Sequence, residues 1–184
     1  MATQNLDIKT YERQPALCRP WDPRAIEVAS IIAEALVAQM PSLHVEHVGS
    51  TAVPGCDGKG IVDLAVLCPS GKLRQARDLV DALGFQRQQT PDPFPEERPM
   101  RVGAVAHSGH VFQLHMHILS ADCEEVGELL SFRNRLRSEP GLRQAYVARK
   151  RAIIAGDVTD SLEYCYAKGS FVEEALGKGS PPER

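Results

Sequence analysis

Leu43–Leu67, LHVEHVGSTAVPGCDGKGIVDLAVL, reads as strand, glycine-rich turn, strand, with one carboxylate inside the second strand. Val45–Val48 alternates apolar and polar residues, as a half-buried strand does. Gly49-Ser50-Thr51 follows at once. A glycine there lets backbone approach a ligand closely, and Ser50 and Thr51 offer hydroxyls and N–H groups to an anion, although an ordinary tight turn would look the same. Pro54-Gly55 and Asp57-Gly58 are turn pairs that bring the chain back. Ile61–Leu67 is then a near-continuous apolar run, the mark of a strand buried on both faces. Asp63 is its one charge. Burying a carboxylate without a partner is costly, so Asp63 either pairs with a cation, Lys59 or an arginine, or turns toward a cleft.

His110–Leu119, HVFQLHMHIL, is a further strand, with Arg101–Ala106 a weaker one. His115 and His117 lie two apart and so share a face. Two imidazoles on one face make a good metal chelate; a hydrogen-bonded pair at a sheet rim would read alike. If Asp63 converges on them, two histidines and a carboxylate suit Zn, Mn or Fe better than Mg. His47 can donate to phosphate or act as acid or base if it faces the cleft, and is a satisfied core histidine otherwise. His44 and Glu46 point the opposite way from His47.

Around these strands the pattern is helical. Asp22-Pro23 is a helix start, with Asp22 as N-cap and Ile26, Ala29, Ala33, Leu36, Val37 and Met40 on one face before Pro41 stops it. A second helix runs through Leu73, Ala76, Leu79, Val80 and Leu83, with Gly84 just past its end. Residues 85–100, with four prolines and many charges, read as a long loop. Three helices close the chain. Asp122 and Glu125 form a capping box for the first, Leu129, Leu130 and Leu136 packing inward. Pro140-Gly141 marks the break to the second. Thr159 or Asp160 caps the third, which carries Leu162, Tyr166 and Phe171.

The string HVGSTAVPG, followed by Lys59 and IVD and later by His115-x-His117, resembles the GrpB-like (UPF0157) family, a branch of the nucleotidyltransferase superfamily. The resemblance runs from Pro20 to Leu176. It implies an α/β fold with a small mixed sheet, a central Gly-Ser turn and helices packed on one side. In that superfamily the Gly-Ser turn holds nucleotide phosphates, and two carboxylates on the next strand hold divalent metal. Twelve residues separate Ser50 from Asp63, which fits. The second carboxylate would fall at residue 65, which is Ala65; many GrpB-like proteins similarly carry an apolar residue there. Gly60 stands where the family often has proline. Phe132-Arg133 and Tyr164-x-x-x-Lys168 match recurrent family positions. The resemblance thus implies Asp63 and His47 as catalytic residues. Gly49, Ser50, Thr51, Lys59, Arg133, Tyr164 and Lys168 would contact substrate. Mg, Mn or Zn would sit on Asp63, His115 and His117. The expected activity is transfer of a nucleotidyl group from a nucleoside triphosphate to a small acceptor. Two alternatives are a metal-dependent ligase or hydrolase acting on a small phosphorylated or carboxylated molecule, and a non-catalytic nucleotide- or partner-binding module.

The 184 residues suit one domain, 20–176, between an N-terminal arm, 1–19, and a C-terminal tail, 177–184. A net charge of −3 leaves no footprint for nucleic acid, and no apolar run is long enough to span a membrane. Five scattered cysteines without a Cys-x-x-Cys pair point to reduced thiols and a cytoplasmic location.

Overall fold

The computed structural model describes residues 6–178, apart from 92, 157 and 159. Its centre is a five-stranded mixed sheet of order β1-β2-β5-β4-β3, built from β1 (His44–Val48), β2 (Val62–Cys68), β3 (Gln86–Arg87), β4 (Met100–His107) and β5 (His110–Ser120). β1 runs antiparallel to β2, β2 parallel to β5, and β4 antiparallel to both β5 and β3. Helices α1 (Arg24–Gln39), α2 (Leu73–Ala82), α3 (Glu124–Ser138), α4 (Pro140–Ala155) and α5 (Ser161–Ala175) flank the sheet.

Alternation along β2 and β5 divides the sheet into two different faces. Val62, Leu64 and Val66 of β2, with Leu114, Met116 and Ile118 of β5, face one way and pack under α1 and α2. Each such side chain stabilises by about 1.5–3 kcal/mol when fully buried. The other face carries Asp63, Ala65 and Leu67, with His115, His117 and Leu119 opposite them in register. α3 covers only part of this face, through Val126, Leu129 and Leu130 over Val48, Ala65, Leu67 and Leu119. Helices therefore lie on both faces, not on one as expected. The Asp63 end is left open beneath α3.

The helices correct several expectations. Asp22 accepts the Arg24 N–H through its carboxylate (3.0 Å) and the Ala25 N–H through its carbonyl (3.1 Å), so α1 begins one residue after Pro23. Its buried face is Ala25, Val28, Ala29, Ile32 and Leu36, and Ile26 is exposed. The Val28–Ile32 stripe offers more bulk to the sheet than the alanines of the expected one. No capping box forms at α3: Asp122 instead accepts from the Ser70 and Ser120 hydroxyls, and Glu125 from the Arg98 guanidinium. Residues 6–19, expected as an arm or an edge strand, run partly along the sheet. Lys9 exchanges backbone hydrogen bonds with Ala104, the Glu12 N–H reaches Gln113 Oε1, and Arg19 pairs with Gly58. Thr159 as a cap, the Leu162 side chain and the last six residues of the tail lie outside the described residues. No described helix is long and apolar enough to cross a membrane.

Candidate functional site

The turn after β1 is a 3-10 segment, Ser50–Ala52, entered through Gly49 at φ 70° and ψ −172°. A Cβ on Gly49 would stand 2.4 Å from Asp63 Oδ2, so only glycine lets the turn pass this close to the carboxylate. Trp21 Nε1 donates to Thr51 O (2.9 Å), and Arg137 of α3 donates twice to Ala52 O (3.0 and 2.8 Å). The turn is thus clamped from both sides before any ligand arrives.

Asp63 meets both histidines. Its Oδ1 lies 3.1 Å from His115 Nδ1 and 3.7 Å from His117 Nε2. One ligand atom from each of the three residues falls within a sphere of contacts no wider than 4.8 Å. Burial pushes the Asp63 carboxyl up, but hydrogen bonding to His115 and His117 outweighs it and holds the group below the usual carboxylate range. Burial pushes the His115 imidazole down, against the pull of Asp63. Tyr11 completes a line of groups: its hydroxyl sits 3.1 Å from His115 Nε2, and burial, then Asp63, push the phenol up to about 12. With Nδ1 left free for a cation, His115 Nε2 carries the ring proton and donates it to the Tyr11 hydroxyl oxygen, which orients the ring.

The donor chemistry suits a divalent cation. Two imidazoles and one ionised carboxylate converge, and the donor separations at Asp63 are close to the ~3.0–3.4 Å expected between ligands bound at ~2.0–2.2 Å. Among the described residues, His117 Nδ1 is buried without a hydrogen-bond partner, so none of them competes to orient that ring away. Ala65, packed beneath α3, leaves no second carboxylate on β2; His117 is its register partner on β5 and stands beside the missing position.

Next to this cluster is a second, cationic pocket, lined by Gly49, Ser50, Asp63, Lys59, Lys150 and Lys168. Two tyrosines organise the lysines. The Tyr164 ring lies under Lys59 (5.3 Å) and Lys168 (5.5 Å), and the Tyr146 ring under Lys150 (4.4 Å). Lys150 is 2% exposed and donates to Asp57 O. Burial pushes the Lys59 and Lys150 ammonium groups down, a cost that an anion in the pocket would offset. Gly58 leaves the room: a Cβ there would stand 2.7 Å from Ser50 Oγ and 3.3 Å from Lys150 Nζ.

Of the residues singled out in the sequence, Asp63, His115, His117, Gly49, Ser50, Lys59, Tyr164 and Lys168 are brought together. Three are not. His47 is in register with Leu64, on the α1 face of the sheet, and its Nε2 lies 2.9 Å from Thr51 Oγ1. Thr51 is buried and donates to Ile61 O (3.0 Å), so its hydroxyl is turned away from the cleft. Arg133 holds Glu46 (2.5 Å) and His47 O (2.9 Å) and braces the strand. A strand residue adjacent to a site in sequence can point to the other side of the sheet, and His47 does so. Lys150, Tyr146, Tyr11 and Cys165 were not singled out. Tyr146-x-x-x-Lys150 on α4 repeats the spacing of Tyr164-x-x-x-Lys168 on α5, a signal present in the sequence. Nothing local marks Tyr11, which arrives from the N-terminal segment.

With this geometry in view, the sequence matches the GrpB protein family over residues 16–178. A UPF0157 protein of Pseudomonas aeruginosa is 32% identical over 163 residues, covering 86% of this chain and 65% of that protein. The chain thus spans just under two thirds of that relative's length. The crystal structure of conserved protein GrpB from Enterococcus faecalis superposes with a TM-score of 0.63 at 25% identity, covering 88% of this chain and 98% of that one. A lower similarity, TM-score 0.45 at 16% identity over 79% of this chain and 46% of the other, links it to the Cid1 poly(U) polymerase bound to MgATP.

Proposed function

The chain belongs to the GrpB family, and on that premise we propose that it binds a nucleoside triphosphate with a divalent metal and transfers a nucleotidyl group to a small acceptor. The observation that carries this reading is the junction of two unlike half-sites at Asp63. On one side stands a carboxylate–imidazole cluster able to hold a cation. On the other, a Gly-Ser turn meets three lysines. A polyphosphate bridging them would satisfy both.

Asp63, His115 and His117 would hold the metal, with Tyr11 fixing the His115 ring. When bound, the metal supplies charge stabilisation on the phosphoryl oxygens, the largest part of catalysis in this chemistry. Gly49 and Ser50 present the turn to the phosphates, and Lys59, Lys150 and Lys168 neutralise the leaving pyrophosphate. The acceptor hydroxyl oxygen attacks the α-phosphorus, the bond to the bridging α–β oxygen breaks, pyrophosphate leaves, and the hydroxyl proton passes to water. Tyr164 holds Lys59 and Lys168 in place through its ring.

The test is a thermal-shift series with ATP, CTP, GTP and UTP, each with Mg, Mn or Zn, on the native protein and Asp63→Asn. A ligand at a hundred times its Kd stabilises the folded state by about 2.7 kcal/mol. One triphosphate with metal should raise Tm by several degrees in the native protein and not in the variant. Stabilisation by metal alone, with nucleotides adding nothing, would end the nucleotide reading. It would favour a metal-dependent hydrolase or ligase.

A further inference from the structure

Asp63, His115 and His117 also border a chamber of about 510 Å3 that shares Gly49 and Lys168 with the lysine pocket but not Lys59 or Lys150. The rest of its wall is mostly apolar and aromatic, with Pro93, Phe94, Pro95, Met100, Leu129 and Tyr166 beside Val48, Cys165 and one uncharged amide, Gln88. Lys168 is the one lysine or arginine among its described lining residues. We propose that this chamber is the acceptor subsite, and that the acceptor presents its hydroxyl on an uncharged aromatic group.

Three observations converge on this assignment, which rests on the nucleotidyl-transfer reading above. First, in-line displacement places the attacking and leaving oxygens on opposite sides of phosphorus. With the leaving pyrophosphate held at Lys59 and Lys150, the acceptor approaches from the side away from them, and the chamber has neither in its lining, with Lys168 shared between the two pockets. Secondly, the wall suits a ring. A flat apolar group gains contact there from Pro93, Phe94, Pro95 and Leu129, while Gln88 of the same lining adds an uncharged amide. The volume lies within the ~300–1,000 Å3 of small-molecule sites. Thirdly, the aromatic wall is held in place. Phe94 stands edge-on to His117, with centroids 6.2 Å apart and planes at 89°. The Arg98 guanidinium lies 4.2 Å from the Phe94 centroid and is itself gripped by Glu125 of α3. The loop after β3 is thus tied to α3 across the chamber, with its ring beside a metal-cluster histidine. A pocket for a polycationic or sugar-like acceptor would carry carboxylates here, and Asp63 is the one carboxylate in the described lining.

Benzyl alcohol is the probe, with glycerol as the polar control, both followed by ligand-observed NMR titration on the full chain with MgATP present. Benzyl alcohol should saturate the site and glycerol should not. Leu129→Asp should weaken benzyl alcohol about tenfold or more, by setting a charge in the wall. Tyr166 is 74% exposed, so Tyr166→Ser cannot unfold the core, and it should weaken the probe about threefold. Unchanged benzyl alcohol affinity in both variants overturns the proposal. So does displacement of benzyl alcohol by adenosine together with weaker MgATP binding in both variants, because the chamber would then hold the nucleobase. If MgATP fails to bind the native protein while both variants still lose benzyl alcohol, the chamber stands as an aromatic site and the nucleotide reading falls.

Discussion

The two faces of β2 and β5 are made by the same residues in alternation, yet they do opposite things. On the α1–α2 face, Leu64, Leu114 and Met116 are fully buried among aliphatic neighbours. One residue along, Asp63, His115 and His117 turn polar atoms into a cleft. The difference teaches where this fold keeps its packed core and where it leaves polar side chains open to a cleft. The first face is closed by two helices. The second is closed by α3 only over Ala65, Leu67 and Leu119, and its polar end lines a cleft.

Substitutions can separate these roles. The largest effect should come from Leu114→Ala, which opens a cavity in the closed face. A loss of about 2–5 kcal/mol in urea unfolding is expected, with metal affinity of the remaining folded protein unchanged. A parallel loss of metal affinity would show that the faces are not independent.

Gly49→Ala should cost less stability, about 1–3 kcal/mol, but should damage the site far more. It forces a non-glycine residue to φ 70° and drives a Cβ to 2.4 Å from Asp63 Oδ2. Weakened metal binding by calorimetry, although Gly49 is no ligand, is the expected outcome. Native metal affinity would mean that the turn and the carboxylate move freely past each other.

The smallest effect concerns His47, on the closed face. Burial, aided by the Arg137 and Arg133 guanidinium groups against the pull of Asp63, pushes its imidazole down from 6.5 to about 4. Between those values the unfolded chain binds a proton that the folded chain does not. Stability should therefore fall as pH drops from 6.5 toward 4 and be flat above. His47→Gln should remove this acid-side loss, worth on the order of 1 kcal/mol after screening by solvent, in Tm measured from pH 7 to 4.5. An identical acid limb in both proteins would place the titrating group elsewhere.

Much of the candidate cluster's geometry was legible in the sequence because period-2 alternation is a local rule. Asp63 stood out as one charge in an apolar run, and His115 and His117 as neighbours on one face, without any knowledge of strand order. His47, readable either as a cleft residue or as a core histidine, and Thr51 could not be placed by the same local rule. Proximity to Gly49 along the chain says nothing about which face each side chain takes once β1 pairs with β2 in the observed register. Arg133 matched a recurrent position, yet its guanidinium is used to brace Glu46 and the His47 carbonyl. Asp122 and Glu125 had the spacing of a capping box, but Ser70, Ser120 and Arg98 offered their carboxylates other partners.

By itself, then, the amino-acid order determined the strand–turn–strand unit, the five-helix pattern, the glycine at the turn and the three candidate metal ligands. Each of these depends on residues a few positions apart, where backbone geometry alone relates side chains. Tertiary structure decided what meets them. Parallel pairing of β2 with β5 sets Asp63 against His115. The return of residues 6–19 across the sheet brings Tyr11 to that histidine. Packing of α4 and α5 around Tyr146 and Phe171 swings Lys150 and Lys168 onto the Gly-Ser turn, and the Arg98–Glu125 tie sets Phe94 beside His117. These contacts join residues far apart in the chain through burial and charge pairing, which no short-range periodicity records.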